Sequence, residues 1–129
     1  MSTLSDKLRS SKDFFGRAPA SEEAIQAAEE TLHIKFSDEY KAYISELGAA
    51  TIHGHELTGV CSNKLVNVVD MTLKAREQNS SIRSDLYVVE DPHIDSRLIW
   101  QDVKGAVYLS KPGAEIQKAA DSLTEYLKL

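Results

Sequence analysis

The first half of the chain carries two segments whose apolar positions recur at helical spacing. A serine precedes each segment and acids follow it, the order typical of a helix N-terminus. In SEEAIQAAEETLHI, the apolar residues Ile25, Ala28 and Leu32 fall on one face. The second segment, SDEYKAYISEL, repeats this pattern before a glycine stop. The spacing predicts helices near residues 21–33 and 37–47.

After Gly48 the pattern changes to shorter pieces separated by turn residues. Asn67 is placed to cap VVDMTLKAREQ, which predicts a helix near residues 67–78. In the C-terminal segment AEIQKAADSLTEYLKL, apolar residues recur at steps of three and four, which predicts a closing helix near residues 113–127. Segments rich in β-branched and aromatic residues predict strands near 56–60, 86–90, 97–101 and 106–110.

This order of elements predicts one α+β domain in which helices cover an antiparallel or mixed sheet. Helices come first, a group of strands follows, and a helix closes the chain. Short links between the strands favour antiparallel neighbours. No linker divides the 129 residues, so we expect a single domain over 1–129, with a core at 21–127 and an N-terminal extension at 1–20.

Composition and charge narrow the possible classes of function. The formal net charge is −5, whereas nucleic-acid binding usually needs a basic surface, so we expect either a basic partner or none, and no direct contact with nucleic acid. Cys61 is the only cysteine, which excludes an intrachain disulfide and suits a reducing cytoplasm. No apolar run approaches the length of a signal peptide or a membrane span, so we expect a cytoplasmic protein without membrane contact.

Two histidines on either side of Gly54 form the motif His53-Gly54-His55. They could share a metal, but no third ligand stands at a persuasive spacing, because His33 and His93 lie in separate elements. The alternative is a turn in which Gly54 takes a backbone angle that other residues resist. We predict the turn, with no metal and no cofactor.

Cys61 is the one candidate nucleophile, with a histidine of the same motif as its base. The alternative is a small, half-buried residue at the end of a strand. No nucleophile elbow, Walker loop or dinucleotide fingerprint surrounds it, so the sequence predicts no catalytic residues and no enzyme.

The acids Glu90, Asp91 and Asp95 crowd the segment VVEDPHIDS, with no lysine between them. Either this is an ordinary solvated loop in which Asp91 and Pro92 set a turn, or the acids form a binding site. Trp100, the only tryptophan, is predicted to lie in the core.

The order of these motifs resembles the SUKH superfamily, which joins fungal cell-wall assembly regulators to many bacterial immunity proteins. The similarity covers Ser21 to Leu127. One anchor of the resemblance is the pair of N-terminal helices, with Ile25, Leu32, the Ser37 cap, Tyr40, Leu47 and Gly48. The other is Asp102 with Gly105 and Tyr108, similar to the family's acidic turn before a strand. The segments that carry the resemblance are EEAIQAAEETLHIKFSDEYKAYISELGAA, ELTGV, VVDMTLKAR, LYVVED and IWQDVKGAVYLS.

The resemblance implies a SUKH-like fold and a binding function without enzymatic activity. Bacterial members frequently neutralise a toxin domain encoded beside them, often a nuclease. It therefore implies an immunity-type protein that blocks a basic toxin domain, with Glu90, Asp91, Asp95 and Asp102 as candidate contacts. Two alternatives remain: a regulatory module that binds an endogenous partner, and a metal- or cysteine-dependent enzyme.

Overall fold

The computed structural model describes residues 3–52 and 54–129. Within them lie five helices and two antiparallel sheets, which form one α+β domain. The helices are Thr3–Arg9 (α1), Glu22–Leu32 (α2), Asp38–Leu47 (α3), Val68–Gln78 (α4) and Leu123–Tyr126 (α5). The strands are Phe15–Gly16 (β1), Ala50–Ile52 (β2), His55–Glu56 (β3), Tyr87–Glu90 (β4), Leu98–Gln101 (β5), Val107–Ser110 (β6) and Gln117–Ala120 (β7).

The three helices predicted from local signals are confirmed as α2, α3 and α4. Each begins after a polar residue whose side chain accepts a backbone hydrogen bond from the first turn. Ser21, Ser37 and Asn67 supply these caps.

No helix within residues 3–52 and 54–129 is long and apolar enough to cross a membrane.

The larger sheet has the order β4-β5-β6-β7, with every neighbouring pair antiparallel. Three of its strands confirm the predictions near 86–90, 97–101 and 106–110. The smaller sheet has the order β1-β2-β3. A bridge between Leu57 and Glu90 brings the two sheets together.

The predicted helix over 113–127 is wrong. Residues Gln117–Ala120 instead form β7, which pairs with β6, and only Leu123–Tyr126 is helical. The apolar residues of this segment do not share one partner: Ile116 packs against the cluster around Trp100, whereas Leu123 lies in the main core. Pairing with β6 therefore outweighs the local helical preference.

The predicted strand at 56–60 is also wrong, apart from Glu56 at the end of β3. Leu57 and Gly59 each form only an isolated bridge, with Glu90 and Asn67 respectively. Strand pairing in this region occurs earlier in the chain, where β2 and β3 form a hairpin. The polar and glycine-rich sequence does not indicate this hairpin, because its strands are only three and two residues long.

Aromatic side chains fill the centre of the main core. The rings of Tyr40 and Tyr87 lie 5.0 Å apart, and that of Tyr43 lies 5.6 Å from Tyr40. The segment expected to be an N-terminal extension contributes Leu4 and Leu8 to the same buried cluster. Trp100 is fully buried in a second cluster on the other side of the sheet, as predicted, and its indole N–H donates to Ser110 Oγ at 2.9 Å.

Two glycines allow the backbone to approach itself between α3 and α4. A Cβ atom added at Gly59 would lie 1.7 Å from the carbonyl oxygen of Gly48. Gly48 itself has a φ of 66°, and a Cβ there would lie 2.0 Å from the carbonyl oxygen of Ala18. The amide of Val60 donates to Gly48 O at 2.9 Å, so the close contact is also hydrogen-bonded.

Glu39 holds the C-terminal helix to α3. Its carboxylate accepts from the amides of Leu123 and Thr124 at 2.8 and 3.1 Å and from the Thr124 hydroxyl at 2.8 Å. These are the free N–H groups at the start of α5, which a carboxylate stabilises. Gln101 also donates to Glu39, which ties the larger sheet to the same carboxylate.

Candidate interaction surface

Residues 91–97, here called the acidic loop, connect β4 to β5. His93, Asp95 and Ser96 have φ values of 57°, 51° and 58°, a conformation that costs energy for residues with a Cβ. The Asp91 carboxylate accepts from the His93 amide at 2.8 Å, and the Arg97 amide donates to Ile94 O at 2.9 Å. Ile94, which lies between Asp91 and Asp95 in the sequence, is 53% exposed.

Glu90 belongs to a buried cluster, although the sequence grouped it with the acidic loop. It is 2% exposed and ends β4. Its carboxylate accepts from the Tyr126 hydroxyl at 2.6 Å, and His55 Nδ1 lies 3.0 Å from its Oε2. Burial and the bond to Glu90 together raise the pKa of Tyr126 above its ordinary value. Glu90 therefore joins β3, β4 and α5 and is not presented to solvent.

Replacing Glu90 by alanine is expected to lower the free energy of unfolding by about 3 kcal/mol, because Tyr126 and His55 lose their shared acceptor. Urea unfolding measures this loss. Glu56→Ala is the control. Glu56 is an exposed acid at the end of β3, directly before Leu57, and its replacement should change stability by less than about 0.5 kcal/mol. A Glu90→Ala protein as stable as the control would show that the cluster contributes nothing.

Asp102 lies at the opposite end of the larger sheet from the acidic loop. It follows Gln101, which pairs with the first residue of β4, whereas Asp91 follows the last residue of that strand. The four residues of β4 separate the two ends by roughly 10 Å. Asp102 is 6% exposed and accepts from the Lys104 and Ala106 amides, both at 3.0 Å. It organises the turn before β6.

The four predicted contact residues are therefore not brought together. Asp91 and Asp95 share the acidic loop, whereas Glu90 and Asp102 are buried at opposite ends of β4 and β5. Sequence reasoning also missed Ile94, which lies between the half-buried Asp91 and the exposed Asp95 in the sequence. The sequence did carry a signal for Ile94: an apolar residue inside a polar loop has no core to enter and is therefore expected at the surface.

The histidine motif divides between described and undescribed residues. Gly54 has a φ of 85°, which confirms its predicted turn conformation, and His55 faces Glu90. His53 lies outside the described residues. Among the residues that the structure covers, no group of three or more histidine, cysteine or acidic side chains could hold a metal ion. The expectation that the two histidines bind no metal stays a prediction.

Cys61 is half-buried, and its thiol lies 3.7 Å from the carbonyl oxygen of Asn63. The neighbouring Asn67 side chain donates to the Cys61 carbonyl at 2.8 Å while it caps α4. The cysteine thus sits in the connection that leads into a helix, in contact with backbone.

The fold defines a small α+β domain built on two antiparallel sheets, with an acidic loop at one end of the larger sheet. A family model described as SMI1-KNR4 cell-wall (SUKH_5) matches residues 1–128. The chain belongs to the SUKH family, as its sequence motifs predicted. This family includes toxin-immunity proteins and regulators of the SMI1-KNR4 type, and it is generally non-catalytic. No curated protein matches the chain.

Proposed function

We propose that this protein is an immunity-type inhibitor that binds a basic bacterial toxin domain, such as a nuclease, and neutralises it by covering its active cleft. The observation that carries the proposal is the acidic loop on a SUKH domain, which presents Ile94 between Asp91 and Asp95. The net charge of −5 supports a basic partner. In this role the protein blocks and has no enzymatic activity of its own.

The two kinds of side chain in the acidic loop have different tasks in this proposal. Asp91 and Asp95 attract the basic surface and speed the encounter, because long-range charge acts mainly on association. Ile94 enters an apolar pocket of the partner and slows dissociation, as buried anchors do. Glu90 and Asp102, also candidate contacts, support the adjoining strand and turn from within.

The held conformation of the loop favours binding. A loop that is already ordered loses less conformational entropy when the complex forms. The hydrogen bonds of Asp91 and Ile94 within the loop keep its shape in the free protein. The backbone strain of the three residues with positive φ lowers the stability of the free protein and does not weaken binding of the toxin.

Reversing Asp91 and Asp95 to lysine is expected to slow association with the toxin domain by about tenfold or more at low salt. The toxin domain is the one encoded beside this protein. Co-expression scores survival, and stopped-flow mixing of the purified pair measures the rate. Glu23→Lys with Glu77→Lys is the matched control, since it makes the same charge change at exposed positions on α2 and α4.

Two outcomes separate the function from the surface. Absence of both protection and a complex would defeat the immunity proposal. Protection that is equally sensitive to the loop and control reversals would keep the function and reject the acidic loop as its contact. Ile94→Ser provides a second readout, because loss of an apolar anchor raises the dissociation rate while the association rate stays the same.

A second candidate is a regulatory module that binds an endogenous protein. The description of the matching family model, SMI1-KNR4 cell-wall, favours it. A toxin gene immediately beside this one supports immunity, whereas an endogenous protein recovered with the chain and lost in Ile94→Ser supports regulation. Either role suits the cytoplasm, where the free Cys61 thiol stays reduced.

A further inference from the structure

His55 on β3 has one ring nitrogen bound to a buried carboxylate and one without a partner. Its Nδ1 lies 3.0 Å from Glu90 Oε2 and 3.2 Å from Glu90 Oε1. The ring also packs edge-on against Tyr126, with the two ring centroids 5.8 Å apart. Within residues 3–52 and 54–129, no group forms a hydrogen bond with Nε2, and 34% of the side chain is exposed. The ring is therefore fixed through Nδ1 and keeps Nε2 available to a partner.

The hydrogen bonds of Glu90 decide which nitrogen of His55 carries the proton. Both carboxylate oxygens are acceptors, since the Tyr126 hydroxyl donates to Oε1 at 2.6 Å and His55 Nδ1 lies against Oε2. Burial and the bond to Glu90 raise the pKa of Tyr126, so its hydroxyl keeps the proton that it donates. An ionised carboxylate can only accept, so the proton of a neutral His55 ring lies on Nδ1. In this tautomer Nε2 is an acceptor and not a donor.

His55 lies at the base of the acidic loop. Glu90, which holds its ring, directly precedes Asp91, the first residue of that loop. The bridge between Leu57 and Glu90 holds the end of β3 against the end of β4. An exposed acceptor nitrogen therefore lies beside the loop that the proposed function assigns to a basic partner.

We propose that His55 is a pH-sensitive contact residue for this basic partner, with Nε2 accepting a hydrogen bond from a lysine or arginine side chain. A neutral imidazole offers this acceptor, whereas an imidazolium has two donors and a positive charge that repels the same cation. Binding of the partner therefore weakens as the pH falls from about 8 to about 5, the range in which histidine side chains gain a proton. His55 has this role only if the proposed function is correct.

The groups around His55 keep the ring in place at both pH values. Glu90 from β4 and Tyr126 from α5 are the titratable side chains that contact it within the described residues. Its pairing partner on β2, Ile52, carries no charge, and Glu56 follows it on β3. An imidazolium still donates from Nδ1 to Glu90. Protonation therefore removes the exposed acceptor without breaking the contact that holds the ring.

The affinity for the toxin domain encoded beside this protein, measured by calorimetry at about pH 8 and about pH 5.5, tests the proposal. We expect the original protein to bind about tenfold more weakly at the lower pH. His55→Asn should bind about fivefold more weakly at about pH 8 and lose most of the pH dependence. Asparagine can still donate to Glu90, but it does not titrate and places no nitrogen where Nε2 lies. The acids of the loop are present in both proteins, so their own titration affects both equally.

Two other histidines serve as comparisons. His33 lines a groove with Asp85 and Val103, beside the turn at the opposite end of the larger sheet, and His33→Gln should leave the pH dependence unchanged. His93 lies in the acidic loop, with Nδ1 3.8 Å from Asp91 Oδ2. His93→Gln should keep most of the pH dependence, because His93 has no buried carboxylate that fixes its tautomer.

Two measurements on the original protein do not depend on any variant. Nitrogen NMR of the free protein at about pH 8 should show His55 protonated on Nδ1, and this result needs no partner. Calorimetry at about pH 6, in two buffers of different ionisation enthalpy, should show that the complex releases protons when it forms.

Each contrary result has a distinct meaning. An equal pH dependence in His55→Asn and the original protein, or its loss only in His93→Gln, would reject His55 as the sensitive residue. Tighter binding at the lower pH would show that His55 donates to the partner. A proton on Nε2 in the free protein would remove the acceptor on which the role depends. Absence of a complex at both pH values would defeat the proposed function itself, and the role of His55 with it.

Discussion

Replacing Gly59 by alanine is expected to lower the free energy of unfolding by about 4 kcal/mol or more. The added Cβ would lie 1.7 Å from Gly48 O and 2.8 Å from Ala49 Cα. Both are backbone atoms, so no side-chain rotation can relieve the overlap. Separation of the two segments would also break the hydrogen bond from Val60 N to Gly48 O. Urea unfolding followed by circular dichroism measures the loss.

Gly113→Ala is the control for this prediction. Gly113 has a φ of 75°, and a Cβ there meets nothing within 4 Å, so the substitution tests backbone strain without overlap. It should cost about 1 kcal/mol. A Gly59→Ala protein no less stable than Gly113→Ala would contradict the close approach of Gly48 and Gly59.

Raising the pH above about 10 is expected to destabilise the protein steeply. Burial raises the pKa of Tyr40, Tyr43 and Tyr87, all fully buried, above the ordinary value. The folded state then keeps protons that the unfolded state releases. The stabilisation is complete below about pH 10 and is lost as the pH rises toward the folded pKa values. Ionisation of these three tyrosines in the unfolded state lowers the free energy of unfolding by about 4 kcal/mol at about pH 11.

Urea unfolding at about pH 8 and about pH 11 measures this effect. Ultraviolet absorbance should show these three tyrosinates forming together with loss of near-ultraviolet circular dichroism, because the buried rings ionise only on unfolding. In Tyr43→Phe the loss of stability between the two pH values should be smaller by about 1.4 kcal/mol, the share of one buried tyrosine. Ionisation of the three tyrosines near the usual tyrosine pKa of about 10, without unfolding, would contradict their burial.

The parts of the fold that local chemistry specifies could be predicted from the sequence. Helices α2, α3 and α4 carry their caps and their apolar stripes within about a dozen residues. The end of the chain could not be predicted in this way. The spacing of Ile116 and Ala120 suits a helix, but one packs near Trp100 and the other in the main core. Only pairing with β6 decides whether this segment forms a helix or a strand.

The candidate site could be predicted only in part, because some of its contacts join residues that are far apart in the sequence. The acidic character of Asp91 and Asp95 is visible in the sequence, as is the position of Asp91 beside Pro92. The burial of Glu90 is not, because its partners stand 35 and 36 positions away in the chain, at His55 and Tyr126. A carboxylate at the end of a strand looks the same in sequence whether it meets solvent or two such donors.

The bond between Glu39 and the start of α5 spans 84 positions of sequence to Leu123. The ribosome therefore synthesises α2, α3 and all four strands of the larger sheet before it makes the residues that close the structure. Until then the nascent chain lacks Leu123 and Leu127, and the carboxylate of Glu39 has no helix to cap. The contact that closes the structure therefore forms only after Leu123 and Thr124 have been synthesised, and a chaperone that shields the unfinished core would act in that interval.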